Sequence, residues 1–168
     1  MFKFAPRTAN VLDHYRELIE EILSDLGIDP ADNLEEDFTG VERQLKVWRT
    51  QGVTDVRAHL AARPELLIEL FSEETESYFM VDCPMLKLPP TGLEGFYRRL
   101  LELNDRLVEA SLVIRGDEVH LVGIRPLKGM DSHEAAGMLD RISAWADSLD
   151  NPLSEEFKAP LWEPTIES

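Results

Sequence analysis

The side chains that most often do chemistry are few in this chain and widely spaced. The chain contains four histidines, His14, His59, His120 and His133. None of them lies at metal-ligand spacing from another histidine or from Cys83, the single cysteine. No second cysteine exists for redox pairing, and the neighbouring carboxylate of Asp82 disfavours a thiolate. We therefore expect no metal site, and we interpret Cys83 as a buried structural thiol.

Carboxylates are the abundant reactive group, with 33 acidic residues against 17 basic ones in 168 residues. A pair of them acting as general acid and base remains an open alternative. Most fall on the polar faces of predicted helices, as Glu17, Glu20 and Asp25 do, which is typical of solvated surface. The sequence has no glycine-rich phosphate loop and no nucleophile elbow. We predict a protein that is not an enzyme and that uses no cofactor.

The formal net charge of −16 limits the classes of partner. Such a charge repels phosphate backbones and anionic lipid, so we expect neither direct nucleic-acid binding nor membrane binding. It attracts a basic partner protein, although solubility alone also explains it. The absence of a long apolar run predicts no membrane span and no secretory signal, and the single cysteine predicts a reducing cytoplasm.

The first half of the chain predicts one long helix followed by strands. Apolar residues at helical period indicate a helix from Asn10, as its cap, to Leu26, with Gly27 ending it in a left-handed turn. The acidic stretch 28–42 is interpreted as a connector. The strands predicted next are Arg43–Arg49, Leu66–Phe71 and Ser77–Met85, with 54–62 as a strand or a short helix and residues 73–76 as a turn.

The second half gives stronger local signals. It predicts a helix from Leu93 that closes at Asn104 in a left-handed cap, a strand Val108–Ile114, a type II′ turn at Gly116–Asp117 and a return strand Val119–Arg125. Asp131 and Glu134 form a capping-box pattern that opens the last helix, and Asn151–Pro152 is expected to stop it. Residues 1–152 would then form a single domain, and residues 153–168 a tail that packs on the body or frays.

Wide apolar stripes and unplaced aromatic residues indicate where the chain could hold another protein. The stripe of the first helix needs a cover, which an antiparallel sheet, a partner subunit or a bound peptide can supply. Large aromatics outside the clearly patterned elements often anchor interfaces, although core filling is the ordinary alternative. The candidate residues for protein binding or a dimer interface are Leu12, Tyr15, Ile19, Trp48, Phe96, Tyr97, Leu100 and Trp162.

These elements predict an α+β fold, with an antiparallel sheet of about five strands and three helices in the order α-β-β-β-α-β-β-α. That order resembles the type III secretion chaperone-like fold. The second half also resembles the YbjN family, which shares the fold. The residues that carry this resemblance are Phe96–Asn104, the strand Val108–Ile114, Gly116–Val119 at the hairpin, and Gly129–Glu134 before the last helix.

The resemblance implies a small, acidic, non-enzymatic cytoplasmic protein of bacterial type, usually dimeric. Secretion chaperones of this fold bind an extended client segment through hydrophobic patches and sheet edges, whereas YbjN-like proteins are mostly of unknown function. This chain departs from the pattern in its greater length, with an acidic connector and a tail with Trp162. It also departs in its middle segment, 53–71, which does not resolve into a clean pair of strands. These departures leave the geometry of client binding open.

The functional expectation is a homodimer that binds, chaperones or regulates a partner protein carrying a basic or mixed apolar segment. A nucleic-acid-binding protein would be one such partner. One alternative is a small-molecule sensor, which would have a closed apolar cavity under the first helix. The other is an enzyme with an unrecognised carboxylate site, which would have a deep pocket holding two acids in opposed environments.

Overall fold

The computed structural model describes residues 7–39, 44–50, 65–73 and 76–164. Within these residues the chain folds as α+β, with three helices and a six-stranded antiparallel sheet. In chain order the elements are α1 (Arg7–Asp25), β1 (Leu34–Thr39), β2 (Gln44–Arg49), β3 (Leu67–Ser72), β4 (Ser77–Lys87), α2 (Leu93–Asn104), β5 (Ser111–Arg115), β6 (Glu118–Pro126) and α3 (Ser132–Phe157). The predicted fold class is confirmed.

The strands lie in the order β1-β2-β3-β4-β6-β5, and every neighbouring pair is antiparallel. The β5–β6 hairpin turns at Gly116–Asp117 as predicted. Gly116 has a φ of +64°, while Asp117 is not among the residues with positive φ. A positive φ at the first central residue alone is the type II′ requirement, which glycine meets without a steric penalty.

The hydrophobic core lies between one face of the sheet and the helices. In β4, Phe79, Val81, Cys83 and Met85 belong to this core, whereas Met80, Asp82 and Pro84 alternate with them and point to the other face. Helices α1 and α3 cover the core face. The opposite face has no helix over it in the part of the chain that the structure describes, and we call it the helix-free face.

The prediction that residues 28–42 form an acidic connector is wrong, because Leu34–Thr39 forms the edge strand β1 beside β2. The strand lacks an apolar alternation, and charge pairs attach it to its neighbour: Lys46 pairs with Asp37, and Arg49 with Glu35 at 2.6 Å. A strand held by cross-strand pairs carries little hydrophobic signal. The sheet therefore has one strand more than the sequence predicted.

The start of the first helix and the cap of the second helix also differ from the prediction. Helix α1 begins at Arg7, so Asn10 lies inside it and does not cap it, while Gly27 adopts the predicted left-handed conformation, with φ +78°. Asn104 is not a left-handed cap. Its side chain bonds the backbone of Leu112, accepting from the amide at 2.7 Å and donating to the carbonyl at 3.2 Å. The following strand begins at Ser111, and Val108 is 63% exposed.

The last helix begins as predicted but continues past its predicted end. Asp131 and Glu134 form the reciprocal capping box, with bonds of 2.8 and 3.1 Å. Pro152 lies inside α3, which extends to Phe157. The last turns are held by tertiary packing, since Leu153 is 2% exposed and the ring of Phe157 meets that of Phe96 at 5.2 Å. This packing outweighs the intrahelical bond that proline cannot make.

The tail that follows α3 lies against the sheet. The amide of Lys87 donates to the carbonyl of Pro160 at 2.8 Å, and the amide of Trp162 donates to the carbonyl of Met85 at 2.9 Å. The segment thus pairs with the end of β4 beyond the point where β3 begins. Residues 153–157 of the predicted tail belong to α3, and residues 158–164 follow it beside β4. The ambiguous segment 54–62 lies outside the described residues.

Candidate functional site: the helix-free face

One end of the helix-free face is an uninterrupted row of apolar side chains. The register places one such residue opposite the next across β1, β2, β3, β4 and β6, in the order Phe38, Leu45, Phe71, Tyr78 and Pro126. The rings of Phe71 and Tyr78 stack at 5.3 Å. Phe38 is 53% exposed, and Ile124 in the adjacent register row is 55% exposed. We call the five residues the apolar row.

Acidic side chains border the apolar row. Glu36 and Glu69 lie in the adjacent register row on the same face. At the start of β4, the Tyr78 hydroxyl donates to the carboxylate of Glu76 at 2.9 Å, and this hydrogen bond raises the pKa of the Tyr78 phenol. The row is therefore an apolar surface with an anionic margin.

The other end of the helix-free face contains a cavity of about 550 Å³. It lies among the starts of β3 and β6, the middle of β4 and the C-terminal segment. We call it the polar cavity, and its lining residues are Glu35, Arg49, Glu65, Leu67, Asp82, Pro84, Glu118, His120, Trp162 and Pro164.

Asp82 anchors the floor of the polar cavity. It is only 2% exposed, and its carboxylate is 2.6 Å from Nδ1 of His120 and 3.4 Å from a guanidinium nitrogen of Arg115. Nε2 of the same histidine is 3.1 Å from a carboxylate oxygen of Glu118. The imidazole thus lies between two carboxylates, an arrangement that satisfies both ring nitrogens when both carry protons.

The protonation of His120 follows from these contacts. Burial of the imidazole lowers its pKa, but the hydrogen bonds and negative charges of Asp82 and Glu118 together outweigh that effect. The net result is a pKa raised above the ordinary histidine value of 6.5. Glu118 is itself held by a second donor, since the indole nitrogen of Trp162 donates to its other oxygen at 3.1 Å.

Glu65 differs from the other acids of the polar cavity. Its Oε2 atom is buried and has no hydrogen-bond partner. Partial burial raises the pKa of this carboxyl, the charge of Arg49 opposes the shift, and the charge of Glu35 adds to it. The guanidinium of Arg49 is bound to Glu35 at 2.6 Å. Glu65 is therefore the cavity acid that lacks a donor.

The contacts of His120 and the position of Cys83 limit the chemistry that these two side chains can perform in the cavity. Both nitrogens of His120 are engaged by carboxylates, so neither is free to activate a nucleophile. Cys83 points to the core face of β4, away from the cavity. The described ranges contain no group of three histidine, cysteine or carboxylate residues placed to hold a metal ion. What remains is a site rich in hydrogen-bond acceptors and suited to a cation.

The residues predicted for an interface fall into two groups. The buried group fills the chain's own core and consists of Leu12, Ile19, Trp48, Phe96 and Leu100. Tyr15 and Tyr97 are half-buried against that core, whereas Trp162 lies at the polar cavity. Core filling, the ordinary alternative, thus accounts for the five buried residues, and an interface role for the set stays a prediction.

The sequence did not predict the polar cavity. The sequence does contain two signals of this cavity. Asp82 is a charged residue inside an apolar strand, and Glu118 and His120 are two residues apart, which places both side chains on one face of a strand. These signals become a site only when β4 is known to pair with β6, which lies more than thirty residues later in the chain. Glu65 and Trp162 carried no signal that linked them to it.

Comparison with known proteins adds no relative. No protein-family model matches this chain, and no curated protein matches it either. The resemblance to the YbjN and secretion-chaperone families therefore stays a prediction.

Among the described residues, no helix combines the length and the apolar character needed to cross a bilayer.

Proposed function

We propose that this chain is a non-enzymatic protein-binding module that acts in the cytoplasm and holds a partner segment on its helix-free face. The observation that carries the proposal is the apolar row, which spans five strands. Phe38 and Pro126 at the two ends of the row are exposed, and the three residues between them are half-buried. Contiguous apolar surface that reaches solvent is commonly used for association. The partner proposed here presents apolar side chains to the row and basic residues to its margin.

The apolar row and its neighbour Ile124 offer apolar surface that a partner can cover. Covering a large apolar side chain fully contributes roughly 1.5–3 kcal/mol. Phe38 and Ile124 begin more than half exposed, so each can gain about half of that amount or more on contact. Association itself costs several kcal/mol in lost freedom of motion. A partner must therefore cover most of the row, and an extended or helical segment laid across the strands would do so.

The charge of the protein supports a basic partner. The face carries Glu36 and Glu69 beside the row, and the chain as a whole carries a charge of −16. Complementary charge accelerates encounter and suppresses acidic competitors, and salt screens this contribution. We expect capture of the partner to weaken as the salt concentration rises from about 50 mM to 500 mM.

We also propose that the protein is a homodimer, paired through α2 and the residues that follow it. Leu101 is 70% exposed and Val108 is 63% exposed on this side of the molecule. Twofold pairing is the commonest way to cover such side chains. The dimer contact and the partner surface would then lie on different elements, which allows them to be tested separately.

The experiment uses two variants that serve as controls for each other. The double variant Phe38→Ser, Ile124→Thr alters the helix-free face, and Leu101→Ser alters α2. All three side chains are well exposed, so we expect both proteins to fold normally. Co-purification from a lysate should decrease about tenfold or more for the double variant and remain for Leu101→Ser, while only the latter should sediment as a monomer.

Unchanged capture by the double variant would refute the apolar row as the binding surface. Equal sedimentation of Leu101→Ser and the unmodified protein would refute the dimer contact. Thermal unfolding of each variant, compared with that of the parent, separates loss of binding from loss of folding.

A carboxylate enzyme is the second candidate, because the polar cavity contains Glu65 with a raised pKa beside other acids. A general acid needs such a group. It also needs a second acid or base with a free atom, and Asp82 and Glu118 are each bound by two donors. Turnover of a small molecule that is abolished in Glu65→Gln would favour the enzyme over the binding module.

The sensor alternative has less support. The cavity beside α1 has a volume of about 300 Å³, and polar side chains form most of its lining, including Asp13, Arg16 and Lys46. A sensor for an apolar ligand would need an enclosed apolar cavity at this position.

A further inference from the structure

We infer that the polar cavity binds the guanidinium group of an arginine side chain carried by the partner segment. The inference rests on the proposed function for the origin of that arginine, since the cavity and the apolar row share one face. Its physical basis is independent of the row and comes from the size of the cavity, its charge and the unpaired oxygen of Glu65.

The size of the cavity fits an organic group. Its volume of about 550 Å³ is far larger than a bare metal ion and lies in the range of small-ligand sites. No trio of metal-type ligands occurs in the described part of the chain. The occupant must therefore be a molecule or a side chain.

The charge of the lining selects a cation. Four carboxylates face the cavity, from Glu35, Glu65, Asp82 and Glu118, against Arg49 and the imidazole of His120 in the lining and Arg115, which lies 3.4 Å from Asp82. An anion would meet this excess of negative charge in a partly desolvated site, where repulsion is strong. A cation would restore the balance.

Three of the four carboxylates already have donors from the chain. Asp82 accepts from His120, Glu118 accepts from the indole of Trp162, and Glu35 accepts from Arg49. Glu65 Oε2 is buried and accepts from nothing. A buried carboxylate oxygen without a donor is uncommon in native proteins, and an incoming N–H group would satisfy it.

The walls of the cavity favour a guanidinium over an ammonium. Trp162 and Pro164 contribute flat surfaces, and the indole is fixed by its bond to Glu118. A guanidinium is planar, stacks on aromatic faces and donates several parallel hydrogen bonds, whereas an ammonium is a compact and strongly hydrated point charge. Arginine therefore matches both the acceptor and the wall.

The test measures binding of a blocked arginine, Nα-acetyl-arginine N-methylamide, to the full chain. The probe is the indole N–H signal of Trp162 in a nitrogen–proton correlation spectrum, assigned by its loss in Trp162→Phe. We expect saturable shifts with a dissociation constant on the order of 1–10 mM, as suits a single side chain. The blocked citrulline analogue, which has the same shape without the charge, should bind about tenfold more weakly or worse.

Glu65→Gln and Glu36→Gln form the matched pair of variants. Both remove one negative charge from the helix-free face, but only Glu65 lines the cavity. We expect about a tenfold loss of affinity for Glu65→Gln and less than a twofold change for Glu36→Gln. Because glutamine keeps the shape of glutamate, we expect the fold to persist. An unchanged indole N–H signal of Trp162 in the variant without probe would confirm this.

The remaining outcomes separate this inference from the proposed function. Equal binding of arginine and citrulline probes, or equal loss in both variants, would overturn the guanidinium site. A blocked lysine that binds more tightly than blocked arginine would overturn the choice of group. Free L-arginine binding at least tenfold more tightly than the blocked form would indicate a metabolite site and overturn the partner. Arginine binding that persists in the double variant Phe38→Ser, Ile124→Thr would support the guanidinium site even if the apolar row is refuted as the partner-binding surface.

Discussion

Replacing Asp82 by asparagine would remove the buried charge at the centre of the helix-free face while keeping the shape of the side chain. Asp82 is 2% exposed and is bound by His120 at 2.6 Å and by Arg115 at 3.4 Å. A hydrogen bond between charged groups contributes about 1.5–3 kcal/mol. The side chain of Arg115 is 45% exposed, so its pair adds only about 0–1 kcal/mol. We expect Asp82→Asn to lower the free energy of unfolding by about 2–3 kcal/mol near pH 6.

The loss should depend on pH because His120 titrates. Its pKa in the folded protein is raised above the ordinary value of 6.5. Stabilisation from the protonated imidazole is therefore complete below about pH 6.5 and is lost as the pH rises through the raised pKa. At pH 9, further along that titration, a neutral imidazole can still donate one hydrogen bond to the Asp82 carboxylate, so part of the stabilisation remains. The effect of Asp82→Asn should thus be smaller at pH 9 than near pH 6.

Urea denaturation of the parent and the variant at both pH values measures these differences. Asp37→Asn is the control, because Asp37 is 50% exposed and pairs with a lysine, Lys46, instead of a histidine. It should cost about 0–1 kcal/mol at either pH. An Asp82→Asn effect of equal size at both pH values would refute the role assigned to the protonated histidine.

Three further substitutions test the packing of the helices. Pro152→Ala should raise the free energy of unfolding by about 1–3 kcal/mol, because alanine restores a helical bond inside α3; a lower urea midpoint would contradict this. Gly123→Ala should lower it by about 1–3 kcal/mol, since the added carbon would lie 3.1 Å from Ile142 and 3.2 Å from the carbonyl of Glu109. Gly95→Ala is the matched change in α2, where the added carbon meets nothing closer than 3.9 Å, and it should raise the free energy of unfolding by about 0.5–1 kcal/mol. Equal urea midpoints for the two glycine variants would refute the contact argument.

The parts of the fold that the sequence predicted well depend on neighbouring residues. The capping box of Asp131 and Glu134 and the turn at Gly116 each need only a few consecutive residues. The bounds of α2 followed from one apolar stripe. Such elements can be inferred locally because the interactions that form them are local.

The parts that the sequence mispredicted depend on distant contacts. The edge strand β1 is paired through charged residues, so its sequence resembles an acidic connector. Helix α3 passes Pro152 because Phe157 packs on Phe96, which is sixty-one residues earlier in the chain. The polar cavity needs the register between β4 and β6 and the return of Trp162 to the same face. None of these pairings is encoded in a local pattern.

The route of the chain after α3 connects the two layers of the molecule. Phe157 packs on Phe96 in the helical layer. Five residues later, the indole of Trp162 donates to Glu118 on the opposite side of the sheet. A fluorophore or cross-linker placed near Pro164 would therefore sit beside the proposed docking surface and not behind the helices. A bulky affinity tag attached after Pro164 would lie at the same place and would compete with the partner protein that the tag is meant to isolate. An amino-terminal handle, or one at Lys128 in the loop before α3, is the better choice for capturing partners.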